Sequence, residues 1–575
     1  MKFKNFMMPM ALALAAGCYA ADQGTKDDPL TIGSVEELLQ FRDAVLDSGM
    51  YKGVKLKNAG EGLHFKQTAD LDLSTVCGKG IGNWTPIAPF EGSFDGDGHK
   101  ISNLYIDEAQ GSVFSAGFFG HVFNNGDDTL YFNNMVFENA YIRASTFVGT
   151  IVTQVVRGRA VLRNNEVNLT YESGDSEDAA IQMGGLMGNT VADWVGFYDN
   201  TVKGSFKVST AENAAVGGII GVLVDPGDLE GNVNEANIVI EGKTYSNIGG
   251  IVGQLLASCT FKGNTNKGDI SVNVPSEYGF VGGLAGVVPS LGSENTITGN
   301  ANYGKIEVTA YYAAEGGLFG YVSGNTNTFL DSCINYGDVT YHGVTDQKLV
   351  QVGGVAGIWE VKQASRIENK GKITIENAKA PFVGGIAGYV RPGAKSADLF
   401  KAVNEGDIEL KTSADSVNGW VSGLVGSTDE IEYLRLDSCV NKGNVLLPEG
   451  AKPNILFSKP LASTYGSDVP LQASTSVNEG NVPDIEPRMA LVAPRHTAFA
   501  VRTWKNGTGS LLLEVTGLTP MELGKARVQV HTLDGRRLPV SMKRSGNVFE
   551  LGVPAGQKVV VRLHSPNGNK TLIVR

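Results

Sequence analysis

Residues 217–221 read Gly-Gly-Ile-Ile-Gly, and the same phrase returns as GGIVG at 249–253, GGLAG at 282–286, GGLFG at 316–320, GGVAG at 353–357 and GGIAG at 384–388. Weaker versions, AGFFG, VGTIV and GGLMG upstream and SGLVG downstream, extend the series. The second position of each string falls at Gly117, Gly149, Gly185, Gly218, Gly250, Gly283, Gly317, Gly354, Gly385 and Gly423, at successive spacings of 32, 36, 33, 32, 33, 34, 37, 31 and 38. A period this steady marks a repeat array, not a chain of unrelated domains.

Outward from each string comes a variable loop, then an Asn-x-Gly turn, at Asn266, Asn302, Asn335, Asn369, Asn404, Asn441 and Asn478, then an alternating segment such as DISVNV, KIEVTA or KITIEN. Asn and Gly at fixed offsets accept left-handed backbone conformations cheaply, so these positions are expected to supply the corners. The alternation has period two, which is strand. Ankyrin and tetratricopeptide helices share the period, but two adjacent glycines in the most apolar segment of every unit exclude them. A propeller blade needs more residues than these units hold. The expected fold is therefore all-β: a parallel β-solenoid (β-helix) of about 33-residue coils, three short strands per coil, each coil hydrogen-bonded to the next. Ten marked coils and a few degenerate ones make a rod of roughly 50 to 65 Å at the strand spacing. The middle residues of the turns, Lys267, Tyr303, Tyr336, Lys370, Glu405, Lys442 and Glu479, should form a ladder on its outside. Tyr303 and Tyr336 would stack there between Lys267 and Lys370, a candidate contact for a sugar ring or a peptide.

Residues 34–48, SVEELLQFRDAVLDS, pair Ser34 with Glu37 as a capping box and space Leu38, Leu39, Phe41 and Val45 as one helical face. One helix ahead of a long β region predicts a cap over the first coil, which otherwise exposes apolar surface and a strand edge. Strands follow in FKQTADLDLS (65–74) and NWTPIAPFEGSFDGDGHKISNLYI (83–106), with Phe90, Phe94, Ile101, Leu104 and Ile106 as the inward set. Asp70 with Asp72, and Asp95 with Asp97 beside His99, are paired carboxylates of the kind that hold calcium or act as a hydrolytic couple. Their place in turns gives them a structural alternative. No nucleophile elbow, phosphate loop, Cys-x-x-Cys pair or glycine-rich calcium repeat is present, so no catalytic residue, cofactor site or metal site is assigned.

The repeats resemble the GLUG type, and FEGSFDGDGHKISNLYI followed by AGFFG resembles the lead-in that precedes such repeats in bacterial surface proteins. That resemblance covers about residues 34–480 and implies an exported, surface-associated protein. Some members of that group carry an IgA-protease-type zinc peptidase. Such a peptidase requires His-Glu-x-x-His, and none of the seven histidines here is followed by Glu.

The ends give addresses. Lys2 and Lys4, an apolar run from Phe6 to Ala16 and small residues up to Ala21 have the form of a secretory signal peptide. Leu14-Ala-Ala-Gly-Cys18 also resembles a lipoprotein box, which would acylate Cys18 and make the membrane a partner. Cys77, Cys259, Cys333 and Cys439 are even in number, which in an exported chain invites a disulfide reading. Yet Cys333 and Cys439 share a phase three repeats apart, about 14 Å at the strand spacing and too far to bridge, so free thiols are expected. Residues 489–575 hold 13 Lys/Arg and 4 Asp/Glu, a net of +9 within a chain of -12, which leaves -21 for residues 1–488. The charge break marks a domain boundary, and the acidic body argues against nucleic acid as a partner. ARVQVHTLDGRRLPV and the closing FELGVPAGQKVVVRLHSPNGNKTLIVR resemble the C-terminal sorting domain of type IX secretion, an Ig-like β sandwich, departing from it at Gln557-Lys558. The resemblance implies a Gram-negative host and engagement of the secretion machinery through 489–575.

The expected order is thus signal peptide (1–21), capping helix and first coils (22–110), GLUG-like solenoid (111–488) and C-terminal β sandwich (489–575). The expected function is a non-catalytic, secreted or surface-displayed rod that binds an extracellular polysaccharide or protein in the manner of an adhesin. The alternative is a polysaccharide lyase or glycoside hydrolase on a parallel β-helix, which a long-looped cleft lined with Asp, Glu, Lys or Arg would favour.

Overall fold

The structure is a computed structural model. It describes residues 23–485, except 112, 114–115, 127, 177–179, 210, 243, 289–294, 324–327, 345–348, 379, 392–395, 412–418, 429–430, 450–455 and 464–468, and beyond 500 the strands of a second unit. The signal-like segment with Cys18 and the Leu533-Asp-Gly-Arg536 turn lie outside the described residues. The chain divides into two compact units, Met1–Ala490 and Leu491–Arg575.

The first unit is a parallel β-solenoid of about 12 turns, about 34 residues apart. One coil shows the pattern. Ile220–Leu223 follows the Gly-Gly string and forms row one; Gly227–Glu230 is row two; Val233–Asn234, row three; Asn237–Glu241, row four; Tyr245–Gly249, row five, leads into the next string. Every segment pairs in parallel with its equivalent one repeat later. Row one builds a ten-stranded sheet and row two a 14-stranded one, while rows three to five share the third sheet. Fourteen strands at about 4.8 Å stack to roughly 62 Å. The expectation of three strands per coil is corrected to five segments on three sheets, because short breaks, between Asn234 and Asn237 and between Glu241 and Tyr245 in this coil, divide one side of it. In two coils rows four and five fuse, as in Ile270–Gly282 and Ile306–Gly316.

The role expected of the Asn-x-Gly turns is corrected too. The left-handed residue sits three positions earlier, at Gly231, Gly263 and Gly299 and then at Ser332, Arg366, Lys401, Ser438 and Thr475. The turn asparagines point inward. Each Nδ2 donates to the carbonyl two residues on, Asn266 to Gly268 at 2.9 Å, and to the Oδ1 of the next asparagine up the stack. The ladder runs Asn234, Asn266, Asn302, Asn335, Asn369, Asn404, Asn441, Asn478 with every rung between 2.7 and 2.9 Å. The asparagine is there because its amide both donates and accepts at once, satisfying a buried turn and its neighbour together. A second ladder, Asn165, Asn200, Asn232, Asn264, Asn300, runs two residues upstream and ends against the Cys333 thiol. Cys77, Cys259, Cys333 and Cys439 are all buried and unbridged.

The inward set of the lead-in, Phe90, Phe94, Ile101, Leu104 and Ile106, is fully buried. The predicted helix is α1, Val35–Leu46; Ser34 Oγ accepts from the Glu37 amide at 3.2 Å and the Glu37 carboxylate accepts from the Gly33 amide at 2.7 Å. Its buried face, Leu38, Phe41, Ala44 and Val45, meets the first coils, with the Phe41 ring 4.5 Å from Phe65 and 5.9 Å from Phe90. At the far end the chain returns antiparallel, Ile485 exchanging both backbone hydrogen bonds with Ser458. The second unit consists of two four-stranded antiparallel sheets.

Candidate functional site

The turn ladder is where the periodicity puts it. Lys267 pairs with Glu235 at 2.9 Å, and Tyr303 and Tyr336 stack face to face with centroids 4.5 Å apart at 4°. The Lys370 ammonium lies 5.4 Å above the Tyr336 ring, and Glu405 bridges to Lys442 at 3.0 Å. The Lys442 ammonium holds the Glu405 carboxyl below the usual range. Tyr303 and Tyr336 are 52% and 38% exposed, and among the described residues no ring or cation lies against the face of Tyr303 turned away from Tyr336. Their facing surfaces cover each other, and Lys370 covers the other side of Tyr336. A sugar lying flat needs an open ring face, and this stack offers one at its Tyr303 end.

The paired carboxylates are engaged in turns. Asp70 Oδ1 accepts from the Lys100 amide at 3.0 Å and lies 3.3 Å from His99 Nδ1, contacts that lower its pKa in that order. Asp72 accepts from Asn103 and the Ser74 amide, Asp95 from Asn134 and the Asp97 amide, and Asp97 pairs with Lys66 at 3.0 Å. Among the described residues no group of three or more His, Cys, Asp or Glu is placed to hold a metal ion, and no helix is long and apolar enough to cross a membrane.

A second arrangement comes from the third glycine of each string. A Cβ on Gly253, Gly286, Gly320, Gly357 or Gly388 would stand 2.4 to 2.6 Å from a row-five backbone nitrogen one coil earlier. Row one therefore closes on row five at backbone contact, and the two rows make a crease that runs along the stack. Phe280 on row five faces Tyr321 on row one at 6.4 Å, and Phe382 faces Tyr389 at 5.2 Å and Trp420 on the next coil at 4.9 Å. Tyr245, Tyr278 and Tyr312 form the row-five rim at 6.1 and 5.1 Å steps, tilted by 39° and 35° and half-buried. Burial, then the neighbouring phenols, pushes Tyr245 up to about 12. On the opposite rim Glu360 accepts from Tyr321 Oη at 2.7 Å and Ser323 Oγ at 2.8 Å and pairs with Arg391 Nε at 3.4 Å. Burial is the largest single influence on Arg391 and would lower its pKa; the Glu360 carboxylate together with the Tyr312, Tyr321 and Tyr389 phenols reverses this and keeps the guanidinium charged.

This crease was not read from the sequence, although a signal for it exists. Tyr245, Tyr278 and Tyr312 each stand four residues before the first glycine of a string, in three consecutive repeats.

No family model matches the chain. A protein of Evansella cellulosilytica provisionally named a Gly-rich membrane protein is 30% identical over 112 residues, 19% of this chain and 11% of that protein. Halomucin of Haloquadratum walsbyi is 26% identical over 178 residues, 30% of this chain and 2% of its own length. The chain thus spans a small fraction of the curated relatives it matches. A Bacteroides ovatus crystal structure provisionally named an immunoglobulin A1 protease aligns at a TM-score of 0.32 and 18% identity, over 57% of this chain and 80% of that one.

Proposed function

We propose that this chain is an exported, non-catalytic rod that works by binding an extracellular polysaccharide or matrix protein, in the manner of an adhesin. The carrying observation is the crease: aromatic rings and phenolic hydroxyls run lengthwise, while its carboxylate, Glu360, is already engaged by Tyr321, Ser323 and Arg391. Such a surface offers contact area and orientation, whereas glycoside hydrolysis needs two carboxyl groups across one bond. The signal-like segment, the GLUG-like repeats and the sorting-like strands of 489–575 support export and a Gram-negative outer surface as the address. Engagement of the secretion machinery by the second unit and acylation of Cys18 belong to the same reading. The test is purified chain on immobilised polysaccharides and matrix proteins, with reducing-end and unsaturated-uronate assays in parallel. Saturable binding without depolymerisation is the expected result; release of oligosaccharides, or no binding to any surface, overturns it.

A further inference from the structure

We infer that the crease between rows one and five is a lengthwise binding site for an unbranched, uncharged, β-linked glycan; this rests on the binding reading above and names its ligand class. Three observations select that occupant. The crease is translationally regular, because each coil adds the same two wall positions at the strand spacing of about 4.8 Å, a step close to that of an extended β-linked hexose chain. A ligand that repeats along its own axis fits such a surface better than a compact one.

The rings differ from the Tyr303–Tyr336 pair in orientation. Tyr245, Tyr278 and Tyr312 are tilted against each other by 39° and 35°, and Phe280 against Tyr321 by 39°, whereas the turn tyrosines lie at 4°. Rings tilted in this way cannot cover one another fully; the axial C–H groups of a pyranose can pack on the area they leave open, and the polar groups beside them can meet the equatorial hydroxyls. The buried Gln351 Nε2 donates to Tyr312 Oη at 3.4 Å and the buried Ser323 Oγ donates to Glu360, so the polar groups left for the sugar are the Tyr312 and Tyr321 phenols and the Glu360 carboxylate.

Charge decides between glycans. Glu360 and Arg391 neutralise one another within the crease, and residues 1–488 carry a net -21. A polyuronate or sulfated chain would approach an acidic body with no unpaired cation among the crease residues named above to receive it, so repulsion selects against it at ordinary ionic strength. An uncharged chain meets no such repulsion.

The experiment is calorimetric titration of the full chain with hexasaccharides of β-linked glucose, mannose and xylose, with polygalacturonate and a proline-rich extended peptide as comparators. Binding of at least one neutral hexasaccharide is expected. It should weaken about tenfold or more in Tyr278→Ala/Tyr312→Ala, persist in Tyr278→Phe/Tyr312→Phe, and be unchanged in Tyr303→Ala/Tyr336→Ala. Since the alanine pair also thins the packing, a second measurement uses the unmutated chain: the bound hexasaccharide should protect Tyr278 and Tyr312 from nitration, read by peptide mass spectrometry, while Tyr303 stays reactive. Wild-type affinity in the alanine pair together with unprotected Tyr278 and Tyr312 overturns the inference. So does preference for polygalacturonate or the peptide, or failure of every neutral hexasaccharide to bind. If the chain still binds an immobilised polysaccharide or matrix protein under any of those outcomes, the binding rod stands and only the crease as its site is lost.

Discussion

Glu315 stands in an inward register that reads Val216, Ile248, Val281, Glu315, Val352, Val383, Val421 from coil to coil. It is 0% exposed, and neither carboxyl oxygen has a hydrogen-bond partner among the described residues. Burial, with Glu307 as a like charge, raises its pKa well above the ordinary carboxylate value. A buried acid of this kind inverts the usual pH dependence. The folded state holds the proton more tightly than the unfolded chain, so stability is full below about pH 4.5 and falls as pH rises from there toward the folded-state value. Urea midpoints at pH 5 and pH 8 should show that loss, and Glu315→Val should abolish this contribution while stabilising the chain by about 2 kcal/mol at pH 8. An unchanged pH slope in that variant would mean the carboxyl reaches solvent. Legibility is uneven at this scale. The inward aromatics Phe90 and Phe94 follow from alternation, and the Tyr303–Tyr336 contact follows from the repeat period of the turns. Glu315 stands out once the strings are aligned, because the residue before the first glycine is Val or Ile at 216, 248, 281, 352 and 383; that this position faces the core is what the structure adds. The ladder asparagines read as corners because asparagine serves both purposes, and only the neighbouring coil decides which.

Among the elements, the Gly-Gly string and the Asn-x-Gly turn are two halves of one joint. A Cβ on Gly250 would stand 2.2 Å from Asn266 Cγ and 2.2 Å from the Gly283 carbonyl oxygen, and one on Gly283 would stand 2.3 Å from Asn302 Cγ and from the Gly317 carbonyl. The second glycine is thus the floor on which the ladder amide rests. Gly250→Val and Gly283→Val must push the asparagine off its rung and force adjacent coils apart, leaving buried amide groups unpaired at about 1–3 kcal/mol each. Each variant should lower the thermal midpoint by several degrees and speed amide exchange in the two adjoining coils. An unaltered midpoint would remove the joint from the account. The sequence shows both motifs and their period but not their contact, since string and turn in one coil are separated by two bends whose angles come from packing. The helix is legible to within a few residues because its signal is local: Ser34, Glu37 and one apolar face suffice.

At the scale of the whole molecule, parallel stacking has no intrinsic stopping point, so what happens at the ends matters as much as the repeat. The first coil is closed by α1, whose Phe41 lies against Phe65 and Phe90 and whose Leu38 is buried on the same face. Leu38→Asp with Phe41→Asp places two charges in that aromatic cluster and should detach the helix. The uncovered coil would then associate through its free edge. Light scattering during gel filtration should register a concentration-dependent shift from monomer to oligomers; a variant that stays monomeric at every concentration would deny the helix its role as a cap. The acidic body and basic tail are legible as a boundary from charge alone, whereas the crease emerges only when two rows distant in the coil fold against each other. At the other end, Ile485 pairs with Ser458 with its chain direction reversed. In-register parallel strands are the geometry of amyloid, where every layer is a template for an identical next layer. One reversed pair breaks that translational symmetry at this edge: no copy of the repeat can dock there in register, so at that position a potentially endless cross-β fibre becomes an object of fixed length.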